Sequence, residues 1–282
     1  MDPETIIEPT SPTPLMRERE LLKGATVHTY KTIGIKKLEA HFFYPKDYIE
    51  GELRTTIVFF HGGLWDKQMV SQFVPQALHF VSRGAIAVLA EYRVSTTHKS
   101  TPLESLEDAQ SAILWLRENQ RFLGADPHKI IACGAASGAH IALCAAMNLE
   151  VDNNGLYDSR PDALVLYSAV IDTTKGTAGF TKFTNRKLAI KNSPTKNIRK
   201  KAPPMIFYHG SADQTTPIAT VERFCKKMSS KKNTCLFYPF ERGTHSFFNF
   251  NVNQHNFVQS IESADGFLSE QGFLPDTEES YI

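Results

Sequence analysis

Hydrophobic and polar positions follow two different periods along this chain. Around Ile33-Gly34, apolar and polar residues alternate one by one, which predicts two antiparallel strands joined by a tight turn. From Thr55 onward, short runs are almost continuously apolar and rich in β-branched or aromatic residues, as in strands buried on both faces of a parallel sheet. These runs are TTIVFFH, AIAVLAEY, KIIACG, ALVLYSAV, PMIFYHG and NTCLFYPF.

Helical periodicity lies between these runs. The stretch Thr101-Pro102-Leu103-Glu104 has the sequence of a capping box with proline at the first helical position, so it predicts a helix start. Further helices are predicted over 138–149, 218–229 and 257–271. Strands that alternate with helices after an N-terminal antiparallel hairpin predict an α/β fold: a mostly parallel central sheet of about eight strands with helices on both faces.

Two segments stand apart from this pattern. Residues 1–24 are polar and are predicted to form a surface arm ahead of a single domain over 25–282. The segment 173–204 lacks periodicity and contains nine lysines and arginines but no acidic residue, and a long connection of this kind predicts a lid or binding loop. Its charges are interpreted either as a solvated face or as the mouth of a site that attracts anionic substrates.

Composition narrows the class of protein. With 41% hydrophobic and 22% charged residues, the chain has globular composition, which excludes disordered and coiled-coil classes. A net charge of +1 gives no argument for a nucleic-acid or membrane partner. No apolar stretch approaches the about 20 residues of a membrane-spanning helix. The N-terminus lacks the apolar region of a signal peptide, so we expect a cytoplasmic protein, or a secreted or periplasmic one if a signal peptide has been removed.

The most informative stretch for chemistry is GAASGAH at 134–140, which lies between a predicted strand and a predicted helix. A strand, a tight turn and a helix, with glycine at the first and fifth positions of the turn, form the frame of a nucleophile elbow. Gly134 and Gly138 occupy those two positions. The nucleophile position between them holds Ala136, where this frame normally has serine.

The other parts of a hydrolytic site occur in the order that such an elbow predicts. Gly62 and Gly63 follow the first parallel strand, where a glycine pair can present backbone N–H groups to an oxyanion, together with the N–H of Ser137. Asp213 follows the strand PMIFYHG, and His245 follows the strand that ends in CLFYPF. Acid and base after the nucleophile are the order found with this elbow.

On these motifs the chain resembles the α/β-hydrolase esterases of the hormone-sensitive-lipase-like group and of the bacterial acetylesterase and feruloyl-esterase-like group. The resemblance spans roughly residues 25–272 and implies the α/β-hydrolase fold. The matching stretches are HGGLW at 61–65, EYR at 91–93, LEDAQSAILWLREN at 106–119, LGADPHKI at 123–130, HGSADQTTP at 209–217 and GTHSFFN at 243–249.

The resemblance also implies roles for individual residues. Leu64 replaces a third glycine that is common in one subgroup, and we expect it to shape the acyl pocket. His61 and His140 are interpreted as structural residues. Asp213 is the implied triad acid and His245 the implied triad base. The implied oxyanion donors are Gly62, Gly63 and Ser137. Leu64 and Trp65 are the implied substrate contacts.

Alanine at position 136 leaves three interpretations open. In the first, an esterase has had its serine replaced, and in the second, a natural non-catalytic homologue binds a ligand in the old cleft. In the third, Ser137 is the nucleophile, which is disfavoured because one residue along a helix turns the side chain by roughly 100°. Removing a triad serine costs about 10⁶ in turnover, so we expect the chain as written to be close to inert.

The substrate class follows from the resemblance alone. It implies a small-molecule ester with a short acyl group, such as an acetyl or aromatic ester of a carbohydrate, and an amidase or formamidase would use the same residues. A homodimer is left open. No H-E-x-x-H, no G-x-G-x-x-G and no paired metal carboxylates occur, so the sequence predicts neither a metal nor a cofactor.

Overall fold

The computed structural model describes residues 14–147 and 158–276. Its strands are numbered in chain order. They are β1 (Thr26–Ile33), β2 (Lys36–Phe43), β3 (Arg54–Phe60), β4 (Ile86–Ala90), β5 (Ala125–Ala135), β6 (Ala163–Tyr167), β7 (Met205–Gly210) and β8 (Cys235–Phe240).

The eight strands form one sheet in the order β1-β2-β4-β3-β5-β6-β7-β8. The pairs β1–β2 and β2–β4 are antiparallel, and every other neighbouring pair is parallel. The structure thus confirms the predicted N-terminal hairpin and the mostly parallel sheet. All residues of β4, β6 and β7 are buried, which explains why these strands lack hydrophobic alternation.

Nine helical segments of the described residues accompany the sheet. They are α1 (Pro14–Leu21), α2 (Val74–Ser82), α3 (Ser95–His98), α4 (Pro102–Glu118), α5 (Gln120–Leu123), α6 (Ser137–Ala146), α7 (Arg186–Lys191), α8 (Ile218–Ser230) and α9 (Gln254–Glu270). Two hydrophobic clusters cover opposite faces of the sheet. Residues of α4, α6 and α8 belong to one cluster, and residues of α2 and α9 belong to the other, so the prediction of helices on both faces is confirmed.

The helices differ in how clearly the sequence marks their starts. The Thr101 hydroxyl accepts from the Leu103 N–H, and the Glu104 carboxylate accepts from the Thr101 N–H, so the capping box of α4 is present. Helix α2 was not predicted, and Phe73 at its N-cap offers no side-chain acceptor; the predicted α8 also lacks a capping side chain. Helix α6 ends at Ala146, and the last two residues of its predicted range lie outside the described residues.

The two exceptional segments contain more regular structure than expected. Helix α1 lies within the predicted arm, whose first thirteen residues are outside the described part. The segment 173–204 contains α7 and two 3₁₀ turns, Phe180–Lys182 and Pro194–Lys196. Over the described ranges, no helix is both long and apolar enough to cross a membrane. The proposed domain boundaries remain predictions.

Candidate active site

The chain makes a sharp turn between the end of β5 and the start of α6, and Ala136 occupies this turn. Its φ of 48° and ψ of −110° lie in a region that residues with a side chain rarely adopt. The Ala136 N–H donates to the Tyr167 carbonyl at 3.0 Å, and the Ala136 carbonyl accepts from the His140 N–H at 3.1 Å. The backbone therefore has the strained strand–turn–helix form that the sequence predicted for a nucleophile elbow.

Two glycines allow this turn to close. A Cβ atom built on Gly138 would lie 2.0 Å from the Phe60 carbonyl oxygen, at the end of the neighbouring strand β3. A Cβ atom built on Gly134 would lie 2.6 Å from the backbone of Gly138. Both contacts are far inside van der Waals range, and the clashing atoms are backbone atoms that cannot rotate away. The glycines at the first and fifth positions are thus required by close packing.

The acid and base predicted from the sequence are in direct contact. Asp213 follows β7, His245 follows β8, and the His245 Nδ1 lies 2.8 Å from the Asp213 Oδ2. Because an ionised carboxylate can only accept, Nδ1 carries the proton and Nε2 keeps a lone pair. The His245 side chain is 28% exposed and lines a cavity, whereas the Asp213 side chain is fully buried.

Asp213 is surrounded by hydrogen-bond donors. Its Oδ1 accepts from the N–H groups of Thr215 and Thr216, and its Oδ2 accepts from the Thr216 hydroxyl at 2.7 Å. His209 lies 3.3 Å from the same Oδ2. Burial raises the pKa of Asp213, but hydrogen bonds from His209, His245 and Thr216 outweigh burial and hold that pKa well below its usual range. The carboxylate is therefore ionised and fixed in orientation.

The loop after β3 has three consecutive residues with positive φ: Gly63 at 114°, Leu64 at 52° and Trp65 at 59°. Within the described residues, neither the Gly63 N–H nor the Leu64 N–H has an acceptor. The Gly62 N–H, in contrast, donates to the Gln72 Oε1 at 2.7 Å. Gly62 was predicted to be an oxyanion donor, and the structure corrects this because its N–H already has a partner.

A cavity of about 310 Å³ brings most of the predicted residues together. Leu64 lies in its wall, as expected for a residue that shapes an acyl pocket. Trp65 does not line this cavity, contrary to its predicted role as a substrate contact: it is 1% exposed and its ring meets His140 edge-on. The cavity is lined by Gly62, Gly63, Leu64, Asp66, Lys67, Met69, Gln72, Ala135, Ala136, Thr215, His245, Ser246 and Phe248.

The Ser137 side chain does not face this cavity. Ser137 is fully buried at the start of α6, and its Oγ lies 3.4 Å from the Tyr92 hydroxyl, which itself donates to the His61 carbonyl at 2.8 Å. The Ser137 N–H, at the first turn of the helix, remains available to an anion. This geometry disfavours the interpretation in which the Ser137 hydroxyl is the nucleophile.

His61 and His140 have the structural roles expected for them. The His61 Nδ1 lies 2.6 Å from the Gly62 carbonyl, and the His140 Nε2 lies 2.8 Å from the Asn192 carbonyl. Burial lowers the pKa of each imidazole to about 4. Both histidines are therefore neutral near pH 7 and hold the loops on either side of the elbow.

A second cavity of about 450 Å³ lies beside the first, and Thr215 lines both. Its walls come from residues 169–172 and 176–178, from the loop after Asp213 and from the start of α8. None of the nine basic residues of the segment 173–204 lines either cavity, and all of them except Lys182 are exposed. Lys182 instead pairs with Asp66 in the wall of the first cavity. This placement favours a solvated face over a positively charged mouth.

Sequence reasoning missed several residues that support the site. Gln72 accepts from Gly62 and donates to the Asn249 Oδ1 at 3.3 Å, which joins two loops far apart in sequence. His209 and Thr216 lie on either side of Asp213 in the motif HGSADQTTP. Their closeness in sequence to Asp213 could have predicted that they bond its carboxylate. Nothing comparable marks Gln72, because it belongs to no motif.

Comparisons with known proteins agree with this geometry. The BD-FAE family model matches residues 43–187, just over half of the 282 residues. Endo-1,4-beta-xylanase B of Butyrivibrio fibrisolvens is 26% identical over 186 residues, and Carboxylesterase NlhH of Mycobacterium tuberculosis is 32% identical over 110 residues. The matches cover 60% and 39% of this chain, respectively. The chain spans only 28% of the xylanase and 33% of the carboxylesterase.

A solved structure covers far more of the chain. The thermophilic esterase Est2 of Thermogutta terrifontis, with propionate bound, is 34% identical and superposes with a TM-score of 0.85. The match covers 91% of this chain and 97% of that one. A family model that matches just over half of the chain, on a fold shared almost completely with this esterase, shows that the chain belongs to the BD-FAE family within the α/β-hydrolase esterases.

Proposed function

We propose that the chain is a carboxylic-ester hydrolase scaffold whose nucleophile position is occupied by Ala136. The observation that supports this most directly is that Ala136, His245 and the loop with free N–H groups line one cavity. His245 is in contact with a buried, ionised Asp213. These contacts support an acyl-transfer site that lacks only the hydroxyl group of its nucleophile.

With serine at position 136, each residue has a defined role. The His245 Nε2 takes the proton of the serine hydroxyl as the oxygen attacks the ester carbonyl, and Asp213 stabilises the imidazolium that forms. The N–H groups of Gly63, Leu64 and Ser137 hold the oxyanion, with Leu64 in the place first expected for Gly62. The oxyanion then collapses, and the C–O bond to the alcohol breaks as the His245 imidazolium gives that alcohol its proton. Water, deprotonated by the same His245, attacks the acyl-enzyme, and release of the acid restores the serine hydroxyl.

We propose short acyl groups for the substrate. A cavity of about 310 Å³ lies at the small end of the range for ligand pockets, and Leu64, Met69 and Phe248 give it an apolar wall. The Thermogutta esterase has been solved with propionate and with butyrate bound. An acetyl or other short ester, including one on a carbohydrate, fits a site of this size, and an amide of the same acid would meet the same groups.

The Ala136→Ser variant tests this function. We expect it to hydrolyse p-nitrophenyl esters of two to six carbons at least about 10³ times faster than the parent chain, since the triad hydroxyl is the missing group. The matched control is Ala136→Ser combined with His245→Ala, which has the hydroxyl but no base and should be as slow as the parent. Equal rates for the single and double variants would count against the proposed triad.

Ala136 itself favours a second candidate function, a receptor that binds a short carboxylate without turnover. The N–H groups of Gly63 and Leu64 can hold one carboxylate oxygen, and the space above the Ala136 methyl can hold the other near His245. Calorimetric titration of the parent chain with propionate tests it. A folded Ala136→Ser variant that binds propionate but hydrolyses no ester would favour the receptor, whereas ester turnover would favour the hydrolase scaffold.

A further inference from the structure

Three metal-ligating side chains converge on the antiparallel side of the sheet, away from the candidate active site. Glu39 and His41 lie two residues apart on β2 and therefore point to the same face. Glu91 directly follows β4, and its N–H donates to the Glu39 carbonyl at 2.9 Å, so it lies opposite Glu39. One ligand atom from each of these residues lies within 4.8 Å of the other two.

These ligand atoms have no other partner in the described part of the chain. His41 is 9% exposed, and its buried Nε2 makes no hydrogen bond. Glu91 uses its Oε2 to accept from the Glu39 N–H, which leaves Oε1 free at 3.8 Å from the His41 Nε2. Neither carboxylate pairs with a lysine or arginine among the described residues. Two negative charges and an orphaned imidazole nitrogen therefore face one another without a cation.

We propose that Glu39, His41 and Glu91 form a binding site for a divalent first-row transition-metal ion, represented by Zn²⁺. Two atoms that each lie about 2.1 Å from one ion are about 3–4 Å apart, and the separation of 3.8 Å between the His41 Nε2 and the Glu91 Oε1 fits that range. An imidazole with two carboxylates is a donor set for Zn²⁺ and its neighbours, whereas Mg²⁺ and Ca²⁺ prefer oxygen ligands alone.

The ion has a structural role in this position. It joins β2 to Glu91, which directly follows β4. The next residue, Tyr92, donates its hydroxyl to the His61 carbonyl at 2.8 Å, in the loop after β3. The ion also neutralises the two carboxylates that the fold has placed together. The site lies outside the cavity that contains Ala136 and His245, so it braces the strands that support the loop after β3 and takes no part in the acyl-transfer step.

Calorimetric titration of the chelator-treated full chain with ZnCl₂ tests this site. We expect one Zn²⁺ per chain, with a rise in Tm on saturation, because an ion that binds only the folded state stabilises it. MgCl₂ should give no comparable heat and no rise in Tm. His41→Ala and Glu91→Gln should each weaken Zn²⁺ binding by at least about tenfold, since each removes a direct ligand.

Two further variants keep the test decisive. His255→Ala removes an exposed imidazole on α9 and should bind Zn²⁺ as the parent chain does. Glu39→Gln changes a partly exposed side chain, so it should fold normally and still bind more weakly than the parent. If the parent takes up no stoichiometric Zn²⁺, or if Glu39→Gln and His41→Ala bind as tightly as the parent, the site does not exist. Both readouts are independent of esterase activity.

Discussion

Steric closure holds the backbone around Ala136, whereas hydrogen bonds hold the side chains around Asp213. At the elbow, Gly134 and Gly138 fit against backbone atoms with no room for a Cβ, and Ala136 itself has a strained conformation. At the acid–base pair, the Asp213 carboxylate accepts hydrogen bonds on both oxygens and its side chain is fully buried. The two regions meet at one cavity but depend on different forces.

This difference explains how the site can keep its shape with alanine at position 136. Neither the glycine contacts nor the bonds to Asp213 involve the side chain at position 136. Replacing a serine hydroxyl there by hydrogen removes the reacting atom and leaves both supports unchanged. The elbow and the acid–base pair can therefore be disturbed separately, and each of the following variants does so.

The largest effect is expected from Gly138→Ala. The new Cβ would lie 2.0 Å from the Phe60 carbonyl oxygen, so the elbow must open, and we expect a loss of about 3 kcal/mol or more in the free energy of unfolding. The control is Gly266→Ala in α9, where an added Cβ meets no atom within 4 Å. That variant should gain up to about 1 kcal/mol, because alanine is the better helix former. Urea unfolding measures both, and equal stabilities would contradict the steric account.

A pH series separates the two regions. The pKa of His140 is about 4 in the folded chain because of burial, against about 6.5 in the unfolded chain, so below pH 6.5 the unfolded state takes up protons that the folded state does not. Between pH 7 and pH 5 we expect His140 to cost the folded state about 2 kcal/mol, and His61 to act in the same direction. The His140→Gln variant can still donate to the Asn192 carbonyl. Between pH 7 and pH 5, urea unfolding should show that its free energy of unfolding falls by about 2 kcal/mol less than that of the parent.

Asp213→Asn provides the contrast for this pH series. The folded pKa of Asp213 is held below its unfolded value, so its contribution is complete above about pH 4 and is lost as the pH falls further. The Asp213→Asn variant should therefore be spared the loss of stability that the Asp213 carboxylate causes in the parent below about pH 4. If the slope of His140→Gln matched the parent between pH 7 and pH 5, the buried histidine would not be the cause.

The smallest effect is expected from Ala136→Gly. Glycine relieves the strain at a φ of 48°, worth about 1–3 kcal/mol, but it adds freedom to the unfolded chain, which costs about 0.5–1 kcal/mol. We expect a net gain of about 1 kcal/mol in urea unfolding. Ala135→Gly, one residue earlier in β5 and without positive φ, should instead lose about 1 kcal/mol. A loss in both variants would show that the elbow backbone is relaxed.

Much of the fold could be predicted because its signals are local. Almost continuously apolar runs predicted six strands, the alternation around Gly34 predicted the hairpin, and the capping box at Thr101 predicted the start of α4. The last of these strands, β8, lies at the edge of the sheet and is not buried on both faces as its sequence suggested. Each signal depends on residues a few positions apart, so the hydrophobic period and the capping residues can be recognised from the sequence alone. Helix α2, which has no capping side chain, was not predicted, and α1 lies in a stretch of mostly polar residues.

The candidate site, like the fold, was predictable where its signals are local in sequence. The glycine frame around Ala136 and the order of Asp213 and His245 are sequence features, and the structure brings these residues to one edge of the sheet. The sequence could not show which N–H groups of the loop after β3 remain free. That depends on Gln72, ten residues beyond Gly62, and on whether its side chain turns back toward the loop.

The chain by itself determined the strands, four of the nine described helical segments, the elbow and the order of the predicted acid and base, because these follow from hydrophobic period and short-range sterics. Tertiary packing alone decided that Trp65 is buried, that Gly62 is already bonded, and that Glu39, His41 and Glu91 converge. Glu91 lies about fifty positions after Glu39 and His41, and the three residues share no motif. They meet because strands distant in sequence become neighbours in a sheet, and only the pairing of β2 with β4 brings their side chains to one face.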